Sequence, residues 1–289
     1  VNDMWANNEG EEQMKLNFTF EGSAATIVDT IADDGTVTLK PATTINADNY
    51  KLLQRQKGKL DAIDFAKLLL DDGTGNKNSR NYYSKSFDSG FSHTIAQSYF
   101  VNPDANGIGD NPIGFLVDGS WWYNEAKVTG RNFAVLPLPK TDASKIGTPN
   151  TKLSDRSSLI FISSETKSEV VPVAKAFVSF LQSDHALRTY TEYTNTLRAM
   201  TYTLTNESLA KMSSYGKSVY DARNSGDTVI LPWSPLTALA RKNASLLEWR
   251  TYGFSTTSMD KNPLVYLKDH IKEKNITKKY FEAIWNYRK

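Results

Sequence analysis

Short apolar runs, closed by Asp, Pro or Ser, alternate along this chain with longer stretches whose apolar residues recur at helical spacing. That alternation is the strongest constraint on the fold, because strands interleaved with helices pack as layered α/β domains. Ile113-Gly-Phe-Leu-Val117, Asn132-Phe-Ala-Val-Leu136 and Ser158-Leu-Ile-Phe-Ile162 predict buried strands, the second stopped by Pro137 and Pro139. Asp33-Asp34-Gly35 predicts a turn entering a short strand at 36–40, and 228–231 predicts another. Helical spacing places Leu60, Ile63, Ala66, Leu69 and Leu70 on one face of a helix after Asp48, with Gly58 as its weak point and Gly73 as its stop.

A short helix is expected at 121–126. Thr166-Lys-Ser-Glu169 has capping-box spacing and opens a helix with Val170, Val173, Ala174, Phe177 and Leu181 on one face, Pro172 being tolerated in the first turn. Ser183-Asp184 caps the next helix, through Leu187 and Tyr190, and further helices are predicted near 207–223, 235–250 and 276–287. Residues 73–92 and 140–155 read as loop.

At 289 residues the chain has room for roughly two domains at ~150 residues each. Lys+Arg 34 against Asp+Glu 32 gives a net charge of +2, which argues against a general nucleic-acid-binding surface. Cys 0 excludes disulfides, thiolate metal sites and a cysteine nucleophile. The charge is unevenly spread: residues 1–34 hold eight carboxylates and one lysine, whereas 261–289 hold eight Lys/Arg and three carboxylates. These are expected to be two solvated faces that attract one another; a basic C-terminal helix resting on an anionic membrane is the alternative. The apolar runs fall far short of the roughly 20 residues of a membrane span. The chain opens Val1-Asn-Asp-Met-Trp5, without a basic or apolar leader, and reads as part of a processed or truncated protein.

The patterns of nucleotide-binding loops, the nucleophile elbow and zinc proteases are absent, and no cofactor is expected. His93, His185 and His270 stand far apart, without metal-ligand spacing. Asn102-Pro-Asp104-Ala-Asn106-Gly107 matches the first half of a calcium loop, but Ile113 stands where the bidentate Glu belongs, so an Asn/Gly turn is expected. Asp33/Asp34 and Asp71/Asp72 lie beside Gly and are expected to be turn residues.

Asp118-Gly-Ser-Trp121-Trp122-Tyr123 carries more chemistry. Indole rings match the C–H face of a sugar, and a nearby carboxylate accepts hydroxyl hydrogen bonds. Trp121 is the candidate stacking surface and Trp233, between Pro232 and Ser234-Pro235, a second one. Asp118, Ser120 and Arg198 are candidate polar contacts, and Trp122 is a candidate that core packing could equally claim.

These residues resemble, in order, the extracellular solute-binding proteins of bacterial ABC importers, the maltose-binding-like family 1. The resemblance rests on the helix at 60–70, on Gly114-Phe-Leu-Val-Asp-Gly-Ser-Trp-Trp122, and on Phe133-Ala-Val-Leu-Pro-Leu-Pro139. It continues through the run at 158–162 with Lys175-Ala-Phe-Val-Ser-Phe-Leu181, and ends on Thr194-Asn-Thr-Leu-Arg198, where Asn195 replaces the usual Gly. It implies a periplasmic-binding-protein-like fold of type II, with 1–156 and 204–289 in the C-terminal lobe and 157–203 crossing into an N-terminal lobe that is otherwise missing. It also implies a non-enzymatic, lipid-anchored or periplasmic substrate-binding component. Such a protein captures a sugar or oligosaccharide in an interlobe cleft and delivers it to permease subunits. A glycoside hydrolase or other carbohydrate-active surface enzyme is the alternative, and an adhesin-like module is a third reading. By the same resemblance Phe161, Phe177, Phe180 and Leu181 pack against the missing lobe, so this chain is expected either to self-associate there or to keep the segment mobile.

Overall fold

The computed structural model describes residues 1–46, 48–70, 93–102, 114–155, 160–198, 200–231, 266–267 and 270–288. Their helices are α1 (Asn2–Glu9), α2 (Glu11–Thr19), α3 (Lys57–Leu70), α4 (His93–Val101), α5 (Tyr123–Ala126), α6 (Val171–Leu181), α7 (Asp184–Thr194), α8 (Asn206–Lys211), α9 (Ser214–Asn224) and α10 (Ile276–Arg288). The strands are β1 (Gly22–Ala24), β2 (Val28–Ile31), β3 (Val37–Leu39), β4 (Thr43–Ile45), β5 (Asn150–Asp155) and β6 (Gly226–Leu231). They pair two by two, β1 with β4 and β2 with β3 antiparallel, β5 with β6 parallel. The chain is thus mixed α and β, with small sheets among the described residues. Those residues divide into two compact units, one within Val1–Ser92, Leu138–Asp155 and Gly226–Lys289, the other within His93–Pro137 and Arg156–Ser225. The crossings therefore fall at 92/93, 137/138, 155/156 and 225/226, whereas the sequence placed its boundaries at 156/157 and 203/204.

In the first unit the expected Asp-Gly turn forms. Gly35 takes φ +90, a conformation that only glycine adopts without strain, and leads β2 back along β3. The predicted helix after Asp48 breaks in two, a 3-10 turn at Tyr50–Arg55 and then α3. Leu60, Ile63 and Ala66 of α3 pack with Val28 and Ile31 of β2 and with Ile276, Tyr280, Phe281 and Ile284 of α10. Trp5, fully buried in α1, joins Met4, Met14, Phe18, Ala62 and Val229 in a neighbouring cluster. The two oppositely charged ends meet here, Lys278 Nζ lying 2.8 Å from Asp33 Oδ1. Asp34 stays a turn residue, accepting the Thr36 N–H at 2.9 Å.

Sequence reading failed at β5, which it placed in a loop. Asn150-Thr-Lys-Leu-Ser-Asp155 is polar, yet Thr151 is buried and Leu153 packs on the Met4–Val229 cluster. Gly226 opens its partner, where a Cβ would meet the Asn150 carbonyl oxygen at 2.1 Å.

The second unit is helical among its described residues. Residues 114–119 and 132–136 run as irregular chain rather than as buried strands, with Phe115 73% and Val117 76% exposed. The same holds for 160–162, where Ile160 and Phe161 are exposed. An apolar run is buried only when a neighbouring layer covers it, and none of the described residues of these runs is paired into a strand. The capping-box spacing at Thr166 is not used either: Ser168 Oγ donates to Glu169 Oε2 at 3.2 Å, and α6 starts only at Val171. Ser183 does cap α7, accepting the Ala186 N–H, and Pro172 sits in the first turn of α6 as expected. The expected helix near 207–223 is interrupted, Ser213 capping α9 separately by accepting the Gly216 N–H. The expected helix at 235–250, the calcium-like loop at 103–107 and Asp71/Asp72 lie outside the described residues.

Candidate functional site

The turn at Asp118 is assembled from three directions within the second unit. Asp118 Oδ1 accepts the Gly119 N–H at 2.6 Å, and Oδ2 accepts Gln97 Nε2 from α4 at 2.7 Å. Both oxygens are held in place, yet each keeps acceptor capacity for a further donor. Gly119 is extended (φ −89, ψ 150), and its carbonyl accepts the Trp122 N–H at 3.1 Å, starting a single 3-10 turn at Ser120–Trp122.

Consecutive aromatics then separate. Trp121 is 70% exposed, whereas Trp122 is 7% exposed. The Trp122 ring lies 6.0 Å from Phe100 and 5.8 Å from Phe133, in a cluster that also takes in Ala126. Tyr123 stacks on Tyr215 of α9 at 4.3 Å and 4°. Core packing therefore claims Trp122, and only Trp121 leaves a ring face to solvent. The indole is set against the backbone, because a Cβ on Gly119 would meet its Cη2 and Cζ3 at 2.1 Å.

Tyr215 completes the support. Its hydroxyl donates to the Ser120 carbonyl at 3.0 Å, so Ser120 anchors the turn through its backbone. Burial pushes the Tyr215 phenol up to about 12, with the Asp118 carboxylate and Tyr123 adding to the shift. At neutral pH it is a permanent donor. Neither Gln97 nor Tyr215 was legible as part of this turn, since each reaches it from another helix.

Arg198 is placed elsewhere. Its guanidinium lies 5.1 Å from the Tyr190 ring centroid, and its backbone N–H donates to Tyr202 Oη at 3.2 Å. Asn195, at the position where a glycine was expected, does adopt the left-handed conformation (φ 54, ψ 24) and ends α7. Its side-chain oxygen accepts from Ser213 N at 2.7 Å and Ser213 Oγ at 2.9 Å, which fixes the start of α9. Trp233 lies outside the described residues.

Among the described residues no group of three or more His, Asp or Glu side chains is placed to hold a metal ion. His270 instead pairs with Glu273 Oε1 at 2.5 Å, and His185 lies 6.4 Å from the Phe180 ring. No described helix is long and apolar enough to cross a membrane. What the turn at Asp118 offers chemically is an exposed apolar ring three residues along the chain from a hydrogen-bonded carboxylate, groups suited to a ligand with one apolar face and hydroxyl groups at its edge. Comparison with protein-family models, with curated proteins and with solved structures found no match.

Proposed function

We propose that this chain is the substrate-binding component of an ABC importer, with a periplasmic-binding-protein-like fold, that captures a sugar or oligosaccharide and delivers it to permease subunits. The observation that carries this reading is the division of labour in Asp118–Tyr123: Trp122 and Tyr123 are spent on packing while Trp121, three residues on from a hydrogen-bonded carboxylate, keeps its ring in solvent. Exposing a large indole that could be buried forfeits apolar burial, which makes sense where a ligand supplies the cover. The order of sequence motifs supports the same class. In this reading the protein is not an enzyme, needs no cofactor, and works on the outer face of a bacterial membrane as a lipoprotein, or in the periplasm.

Calorimetry against a panel of mono- and oligosaccharides tests the proposal. A saccharide that binds, with affinity weakened by about 1–3 kcal/mol in Trp121→Ala at unchanged melting temperature, is the expected result. Failure of the whole panel, or equal affinity in Trp121→Ala, overturns it. Chromogenic glycosides run in parallel separate binding from catalysis: turnover abolished by a single carboxylate substitution would replace the importer reading with a hydrolase.

A further inference from the structure

We propose that the cavity between residues 197–204 and α9, in the second unit, is a binding site for a short-chain monocarboxylate held by Arg223. The cavity measures about 240 Å³. Among the described residues that line it, Arg223 is the one charged group and none is acidic. Leu197 and Leu204 supply apolar surface, while Thr201 and Tyr220 bring hydroxyl groups. None of these residues takes part in the turn at Asp118.

The guanidinium is set in place by the fold. Arg223, in the last turn of α9, donates from Nη1 to the Arg198 carbonyl at 3.2 Å and from Nη2 to the Met200 carbonyl at 2.5 Å. Its Cζ lies 5.5 Å from the centroid of the Tyr202 ring. That ring is itself tied down: its hydroxyl shares a 2.6 Å hydrogen bond with the buried Thr191 and accepts the Arg198 backbone N–H at 3.2 Å. A guanidinium has five N–H donors in one plane, and the two carbonyls take two of them. Carbonyls and the end of a helix offset only part of a unit charge, so three donors and a net positive charge remain at the cavity wall. A carboxylate meets such a fork with two parallel hydrogen bonds.

Size and charge narrow the class. The volume equals roughly eight waters at ~30 Å³ each, below the ~300–1,000 Å³ of sites for drug-sized ligands. One guanidinium balances one negative charge, which suits a monoanion better than a doubly charged phosphate. An amino acid would bring an ammonium group, for which the described walls hold no carboxylate. The two leucines instead cover a short alkyl chain. So small a contact gives a modest affinity, with a dissociation constant in the millimolar range.

Propionate titrated into the full chain, followed in the arginine Nε–Hε region of a nitrogen–proton correlation spectrum, tests this. The expected result is one Nε–Hε signal, missing in Arg223→Lys, that moves saturably with a millimolar midpoint. Propionamide, which has the same shape without the charge, should leave that signal in place. Leu197→Trp adds bulk to the cavity wall while keeping Arg223 and both of its carbonyl partners, so it should raise the midpoint at least about tenfold. That variant decides the matter even where Arg223→Lys fails to fold. No saturable shift, an equal response to propionamide, inorganic phosphate bound more tightly than propionate, or an unchanged midpoint in Leu197→Trp would each overturn the proposal.

Discussion

The indole of Trp121 lies across the Cα of Gly119 so closely that a Cβ there would meet its ring carbons at 2.1 Å. Gly119 is extended, at φ −89, so it is the approach of the ring and not backbone strain that demands glycine. Gly119→Ala should push the indole off its seat. The ring is solvent-exposed and can swing away, so the melting temperature should move little. Saccharide affinity should fall about tenfold, since a mis-set platform loses its stacking contact. Calorimetry beside a thermal melt separates the two effects, and an unfolded Gly119→Ala variant would mean that the turn is structural only.

Tyr215 positions the same turn from α9. Tyr215→Phe keeps the stack on Tyr123 but removes the donor to the Ser120 carbonyl. A loss of about 1 kcal/mol in denaturant unfolding is expected, together with weaker ligand binding than the parent. Spectrophotometric titration supplies a second check: one tyrosine ionising near 12 in the folded parent should disappear in Tyr215→Phe.

Glu9 makes stability depend on pH. It is buried at the end of α1, accepting the Gly58 N–H at 2.5 Å at the start of α3 and the Thr26 hydroxyl at 2.6 Å. Burial pushes its carboxyl up to about 7, against these hydrogen bonds and the nearby charge of Lys145, while Asp61 adds to the rise. The folded state therefore holds the proton more tightly than the unfolded chain, whose glutamate titrates near 4.5. Stability should fall as pH rises from about 4.5 through about 7 and then level off, by at most about 3 kcal/mol. Glu9→Gln should flatten that slope and be the more stable form at pH about 8, as read by urea unfolding across pH. An unchanged slope would assign the dependence to other groups.

Arg55 clamps the first unit. Its Nη1 and Nη2 grip Glu282 of α10 at 2.7 and 2.9 Å, while Nε and Nη2 donate to the Val28 and Asp29 carbonyls at 2.7 and 3.2 Å. The Arg55 side chain is 7% exposed and that of Glu282 32%. Glu282→Ala should cost about 2–4 kcal/mol, because a buried guanidinium is left without its counter-charge. Arg55→Met combined with Glu282→Leu should cost less than the single change, since the pair is then removed whole. Chemical denaturation of the three proteins decides this.

Local chemistry was legible wherever a residue and its immediate neighbours settle the conformation. The Asp-Gly turn at Gly35, the Ser183 cap, the tolerated Pro172, the inward face Leu60–Ile63–Ala66 and the helix near 276–287 all follow from spacing and backbone preference. Such signals act within a few residues, so the sequence alone determines them.

Pairing and cover act between distant segments, and only the tertiary structure decided those. The polar run of β5 became a strand because β6 lies alongside it, while the apolar residues Phe115, Val117 and Phe161 stayed in solvent with no layer over them. At the site the sequence named Trp121, Asp118 and Ser120 and favoured Trp121 as the exposed ring, but left Trp122 evenly between site and core. That choice fell to Phe100 and Phe133, which enclose one indole and leave its neighbour in water. Gln97 and Tyr215 joined the turn for the same reason: a hydrogen bond from a helix to a distant segment is fixed by how the two pack, and no spacing along the chain encodes it.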